Sequence, residues 1–209
     1  MRKKSVPREY FESLVVAVIL ALFVRTWVFQ AFKIPSASME QGLLVGDHLI
    51  VNKMVFAPTL ASAERALLPG RPLRRGDVVV FKYPEQPDRD FIKRVIGLPG
   101  DTLELKRKVI HINGTPIDEP YAHYTDLPAS TPNADDRREE YGPVTVPPHQ
   151  FFMMGDNRDN SEDSRYWGFM PESYVKGKAL FIYFSLGPSS SPVPILGNVR
   201  WGRLLNRVR

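Results

Sequence analysis

Residues 14–24 form an unbroken apolar run, Leu-Val-Val-Ala-Val-Ile-Leu-Ala-Leu-Phe-Val. Eleven residues are too short to cross a bilayer, which takes about 20. Extending back to Tyr10 and on past Arg25 to Val28 supplies the length. Arg25 can snorkel toward the surface, and Trp27, Phe29 and Phe32 suit the interfacial belt. A cleavable leader is the rival, since a basic start and an apolar core are both present. Against it, Arg25, Thr26 and Trp27 follow the core where a small-x-small pair would be needed. The expectation is an uncleaved anchor over residues 10–28. Basic residues 2, 3, 4 and 8 then place residues 1–9 in the cytoplasm and residues 29–209 outside the plasma membrane.

Beyond the anchor the chain reads as strands. It carries 19 Pro and 14 Gly in 209 residues, which favours many short strands over long helices. Residues 48–52, 77–83, 91–96, 102–105, 109–112, 150–154 and 175–186 have strand composition, with turns at 84–90, 97–101 and Asn113-Gly114. Residues 58–75 read as a loop with a helical turn through 61–68. Residues 118–142 are polar, rich in Pro and Asp, and without apolar periodicity. They read as an inserted flap or a poorly ordered loop. There is no internal repeat. The fold class expected is mainly β, and the basic end at 201–209 reads as a tail resting on lipid.

Composition removes several chemistries. There is no cysteine, which excludes disulfides, thiolate nucleophiles and Cys-type zinc sites. It also suits an oxidising compartment. The net charge of +5 is concentrated at the two ends, beside apolar residues, which suggests anionic lipid. No recognition-helix or RNA-binding signature is present, so nucleic acid is not an expected partner. His48, His111, His123 and His149 are scattered and lack metal-ligand spacing. A Ser-His-Asp triad needs no local spacing and stays open on sequence grounds. Gly97-Leu98-Pro99-Gly100 is a turn, too weak a signal for a phosphate loop.

Three stretches could carry chemistry. In Ile34-Pro35-Ser36-Ala37-Ser38-Met39, Pro35 pushes Ile34 toward an extended conformation, and residues i and i+2 of an extended chain share a side. Ser36 and Ser38 could then present two hydroxyls to one spot; a polar strand entry is the plainer alternative. In the strand at 91–96, Phe91, Lys93 and Val95 share one face and Ile92, Arg94 and Ile96 the other. Burying Lys93 would lower its pKa and make it a general base, whereas composition alone favours both cations reaching solvent at a sheet edge. The third stretch, residues 155–165, is dense in Asp and Asn. It fails the calcium-loop template, because Arg158 and Ser161 fall where a ligand and a Gly are required and Trp167 where the closing Glu belongs. A loop tied by its own side chains, with Asp163 pairing with Arg165, or a plain surface loop, remains.

Taken together these stretches resemble the boxes of the bacterial type I signal peptidases, a Ser-Lys protease family. Ile34 to Met39 resembles the nucleophile box. Arg75-Gly76-Asp77-Val78-Val79-Val80-Phe81 resembles the second box, and Phe91-Ile92-Lys93-Arg94-Val95-Ile96-Gly97-Leu98-Pro99-Gly100-Asp101 the lysine box. Gly155-Asp156-Asn157-Arg158-Asp159-Asn160-Ser161-Glu162-Asp163-Ser164-Arg165-Tyr166-Trp167-Gly168 resembles the last box almost letter for letter. The boxes run in family order behind an anchor.

The resemblance implies a coiled, barrel-like antiparallel β-sheet with a small inserted β subdomain at 102–149. It implies Ser38 as nucleophile and Lys93 as general base, with Ser36 and the Ser38 backbone N–H as oxyanion hole. Ser161 would orient the lysine, with Asp163 and Arg165 as a supporting ion pair. Phe32, Ile34, Pro35, Met39, Phe91 and Ile92 would line substrate pockets. No cofactor or metal is implied. The partners implied are signal-peptide-bearing preproteins and membrane lipid, with a monomer near the export translocon. One departure stands out: after Met39 the family pattern has one residue and then Pro-Thr-Leu, whereas here Glu40 precedes Gln41-Gly42-Leu43. A silent membrane-anchored β domain would leave Ser38, Lys93 and Ser161 without a purpose. A self-cleaving Ser-Lys regulatory protease would carry a soluble N-terminus where the apolar run stands.

Overall fold

The structure, a computed structural model, describes residues 6–56, 71–125, 137–187 and 198–208. The expected helical turn at 61–68 lies outside the described residues. Helix α1 spans Val6–Phe23 and continues as one wider π-helical turn, Val24–Val28. No residue of α1 is buried, and the 23-residue segment is long and apolar enough to cross a membrane. A solvent-facing surface this apolar has no partner within the protein, which fits a lipid environment.

The chain leaves the helix directly into a seven-stranded antiparallel sheet curled into a half-barrel. Its strands are β1 Phe29–Lys33, β2 Asp47–Asn52, β3 Val78–Lys82, β4 Asp90–Gly97, β9 Gln150–Met154, β10 Met170–Pro171 and β11 Val175–Ser185. Their order is β1-β2-β11-β3-β4-β9-β10. β2 alternates buried and half-buried residues, as a strand with one covered face should. β3 reads as a continuous apolar run because both its faces are covered. Phe32, Ile34, Met39, Leu49, Val78, Val80 and Ile92 pack into one core, and Val79, Phe81, Val95, Phe151 and Met153 into another on the opposite face.

β5 Thr102–Lys106, β6 Val109–Ile112, β7 Thr115–Pro116 and β8 Glu140–Thr145 make a second, four-stranded sheet in the order β7-β6-β5-β8. Here one expectation fails. The polar excursion reaches only to the start of β8, which pairs with β5 from Glu140↔Lys106 to Thr145↔Thr102. Tyr141 and Val144 pack on the core of Ile96, Leu103, Ile110 and Phe152. A strand carrying Gly142 and Pro143 has weak propensity, and pairing supplied by β5 overrides it.

The C-terminal segment is also more than a basic tail. Leu205 and Val208 donate backbone N–H bonds to Ile182 and Leu180 of β11. Arg203 reaches Asp47 with Nε at 3.1 Å and Nη2 at 2.6 Å, and Asp47 also accepts from Ser185 and the Leu44 N–H. Asp47 is fully buried. Burial would raise its carboxyl, but these donors outweigh it and hold the pKa below the usual carboxylate value. Arg203→Met should therefore cost about 3–5 kcal/mol by stranding a buried carboxylate. Adding Asp47→Asn to that variant should recover part of the loss, as read by denaturant unfolding in detergent.

Candidate active site

The extended conformation expected through residues 34–39 holds as far as Ser36, at φ −134° and ψ 160°, and then gives way to a single 3-10 turn, Ala37–Met39. Glu40 N–H to Ala37 O and Leu43 N–H to Met39 O close the turn. The two hydroxyls still meet, with Ser36 Oγ 3.4 Å from Ser38 Oγ. Ser38 is buried and Ser36 exposed.

β4 settles the question of the two cations. It lies between β3 and β9 rather than at an edge, so neither side chain escapes to water. Lys93 is 4% exposed and Arg94 3%. They solve this differently. Arg94 makes a bidentate pair with Asp156, at 2.7 and 2.6 Å, and donates to the Gly76 carbonyl. Among the described residues Lys93 has no carboxylate in hydrogen-bond contact; its Nζ lies 2.5 Å from Ser38 Oγ and 5.6 Å from the centre of the Phe91 ring. Burial disfavours its ammonium and lowers its pKa from 10.5 to about 8, against the partly offsetting charges of Asp163 and Glu162.

The 155–165 segment packs on the serine turn instead of lying on the surface. The Asn157 N–H donates to Ser38 O at 3.1 Å, and its side-chain amide to Ala37 O at 3.3 Å. Asp163 and Arg165 pair through two contacts of 2.9 Å, and both are buried. Asp163 also accepts from the Gly155 N–H and from the Arg165 N–H, capping the short helix α2, Ser164–Trp167. The Gly155 carbonyl accepts from Arg158, whose other nitrogens grip Glu119 at 2.7 and 2.7 Å. Gly155 is thus fixed on both sides. A Cβ there would lie 2.3 Å from Ser161 Oγ and 2.4 Å from Ser38 O, so only glycine fits.

Ser161 stands against Gly155 beside the Ser38 carbonyl, and its buried hydroxyl has no hydrogen-bond partner among the described residues. Ile34, Met39, Ile92 and the half-buried Phe32 gather in one cluster, with Pro35 exposed at the turn. Phe91 stands apart on the other face of β4, stacked on Tyr83 at 4.2 Å. Sequence reasoning gave no role to Asn157, Glu119 or Asp156. A local signal existed only for Asn157 and Asp156, within the Asp/Asn-dense segment. Glu119 lies 39 residues from the arginine that it holds.

A hydroxyl and a buried, weakly basic amine in contact, beside a second hydroxyl, can form and stabilise an acyl-enzyme. Comparison with known proteins identifies the family. The chain is 33% identical to a signal peptidase I of Pseudomonas aeruginosa over 230 residues, covering 95% of this chain and 80% of that protein. It is 35% identical to one of Aquifex aeolicus, covering 85% and 84%, and 34% identical to signal peptidase I S of Bacillus subtilis, covering 88% and 91%. Residues 7–184 match the family described as "Signal peptidase, peptidase S26", to which this chain therefore belongs.

Proposed function

We propose that the protein is a membrane-anchored serine endopeptidase that removes N-terminal signal peptides from exported preproteins through a Ser38–Lys93 dyad. The observation that carries this reading is the 2.5 Å contact between Lys93 Nζ and Ser38 Oγ in a buried setting. As an ammonium Lys93 can only donate to Ser38. Once it loses a proton its lone pair accepts the Ser38 hydroxyl proton, and Oγ attacks a backbone carbonyl. The developing oxyanion is taken by the Ser36 hydroxyl and the Ser38 N–H, each donor typically worth about 3 kcal/mol. Lys93 then passes its proton to the leaving amine and activates the water that frees the acyl-enzyme.

Ser161, with the Asp163–Arg165 pair behind it, supports the lysine, and its partnerless hydroxyl is available to Nζ when that amine turns. Phe32, Ile34, Pro35, Met39, Phe91 and Ile92 shape shallow apolar pockets for small side chains at −1 and −3, and the peptide adds to the sheet as an extended strand. Residues 1–9 lie in the cytoplasm, 10–28 in the plasma membrane and 29–209 outside, with 102–149 an insertion. The site then sits at the lipid surface near the export translocon, where a monomer meets its substrates.

Ser38→Ala should abolish cleavage of a model preprotein in detergent, a loss on the order of 10^6-fold in kcat; full activity there would rule out the dyad. Lys93→Arg should be equally inactive, because arginine stays protonated, and near-normal turnover would mean that another base serves. In the wild type, kcat/KM should rise with pH up to about 8 and then level off, since the neutral amine is the active form. A flat profile from pH 6 to 10 would contradict a titrating lysine.

A further inference from the structure

The step Gln41-Gly42, where the chain departs from the family pattern, brings a polar pair to the serine turn. Gln41 Nε2 lies 3.1 Å from His123 Nδ1, across 82 residues of sequence. The His123 backbone is held on both sides. Its N–H donates to Asp156 O at 2.7 Å, and its carbonyl accepts from the Arg158 N–H at 2.8 Å, in a parallel bridge opposite Asn157. Asn157 in turn grips the Ser38 and Ala37 carbonyls. Ser38, Asn157, His123 and Gln41 therefore form a closed circuit along one flank of the turn. On the reading above, the pockets for the acyl side lie at Ile34, Met39 and Ile92, which pack in one cluster.

A peptide with its acyl side in those pockets sends its leaving amine across the polar flank. We infer that Gln41 and His123 form the subsite for the first two residues after the cut, and that this subsite favours side chains bearing hydrogen-bond acceptors: Asp, Glu, Asn or Gln. The chemistry follows from the contact. With the Gln41 amide donating to Nδ1, the imidazole carries its proton on Nε2. The pair then offers an imidazole N–H and a second amide hydrogen, both donors. Gln41 is exposed and His123 half-buried, so an acceptor on a bound peptide can approach the pair. The resulting preference is modest.

This inference rests on the Ser38–Lys93 reading, and one experiment separates the two. The full chain in detergent is assayed on preproteins that differ only at +1 and +2, with Glu or Leu there, and on a second pair that differs only at −1, with Ala or Leu. The wild type should prefer Glu over Leu after the cut by about three- to tenfold in kcat/KM. Gln41→Ala and His123→Ala should each bring that ratio within twofold, and the double variant should lower it no further. All should keep the wild-type discrimination at −1. A wild type indifferent to +1 and +2, or variants that retain its preference, would overturn the subsite while leaving Ser38-dependent cleavage standing. Cleavage that survives Ser38→Ala would instead overturn the dyad.

Discussion

The site depends on burying one amine without a counter-charge in contact. An ammonium removed from water and left unpaired is costly, and proteins relieve the cost by releasing the proton. Lys93 is placed so that its ammonium is disfavoured: β4 is central, its Nζ meets a hydroxyl and an aromatic ring, and no carboxylate among the described residues bonds it, so its pKa falls to about 8. The next residue supplies the contrast. A guanidinium cannot give up its proton, so Arg94 in equal burial is matched by the two oxygens of Asp156. Neighbouring cations on opposite faces of one strand thus meet opposite fates, one matched by a partner and one with its proton loosened by burial. Only the second can act as a base.

Holding that amine in place requires a rigid wall, and the wall is made of charge. Arg94, Arg158 and Arg165 are all buried, and each is matched by a carboxylate, from Asp156, Glu119 and Asp163 respectively. Such pairs add little net stability, yet breaking one strands a buried charge and typically costs about 3–5 kcal/mol. The segment 155–165 is therefore permitted essentially one arrangement. Because Gly155 is pinned from both sides and Asn157 binds the Ser38 carbonyl, that arrangement fixes the turn that carries Ser38. Glu119 extends the dependence to the residues that follow β7, and Lys108 of the β5–β6 turn pairs with Asp159 at 3.3 Å, so ion pairs couple the second sheet to the site.

Much of this was legible in the sequence, and what was not has physical causes. The β2, β3 and β4 runs are apolar and β-branched enough to mark themselves, and β9 is marked by Phe151-Phe152-Met153-Met154. The β6–β7 turn is announced by Asn113-Gly114, both at positive φ, whereas the β5–β6 turn uses Arg107 and Lys108 at φ 48° and 66°, residues with no such preference. β8 hid for a related reason: its pairing comes from β5, not from its own composition. The Lys93–Arg94 pair shows the limit most clearly. Period-two alternation placed them on opposite faces, but only sheet order decides whether a strand lies at an edge, and order is a long-range property. Ser36 and Ser38 met as expected by a different route, through a 3-10 turn in place of a continuous strand.

The same distinction bears on Gln41-Gly42, which on local grounds should loosen the serine turn, since glycine adds backbone freedom where the family has threonine. A Cβ at Gly42 would meet only ordinary contacts, 3.6 Å from Asp156 Oδ2 and 3.7 Å from Met39 O, and its φ lies outside the left-handed region. Nothing in the backbone demands glycine there. The order is supplied from elsewhere. Leu43 N–H closes onto Met39 O at 2.8 Å, Arg203 Nη2 holds the Gly42 carbonyl at 2.9 Å, and His123 holds Gln41. Two of these three restraints come from residues more than 80 positions away. At Gln41-Gly42 control of the turn therefore comes not from local stiffness but from the C-terminal segment and His123.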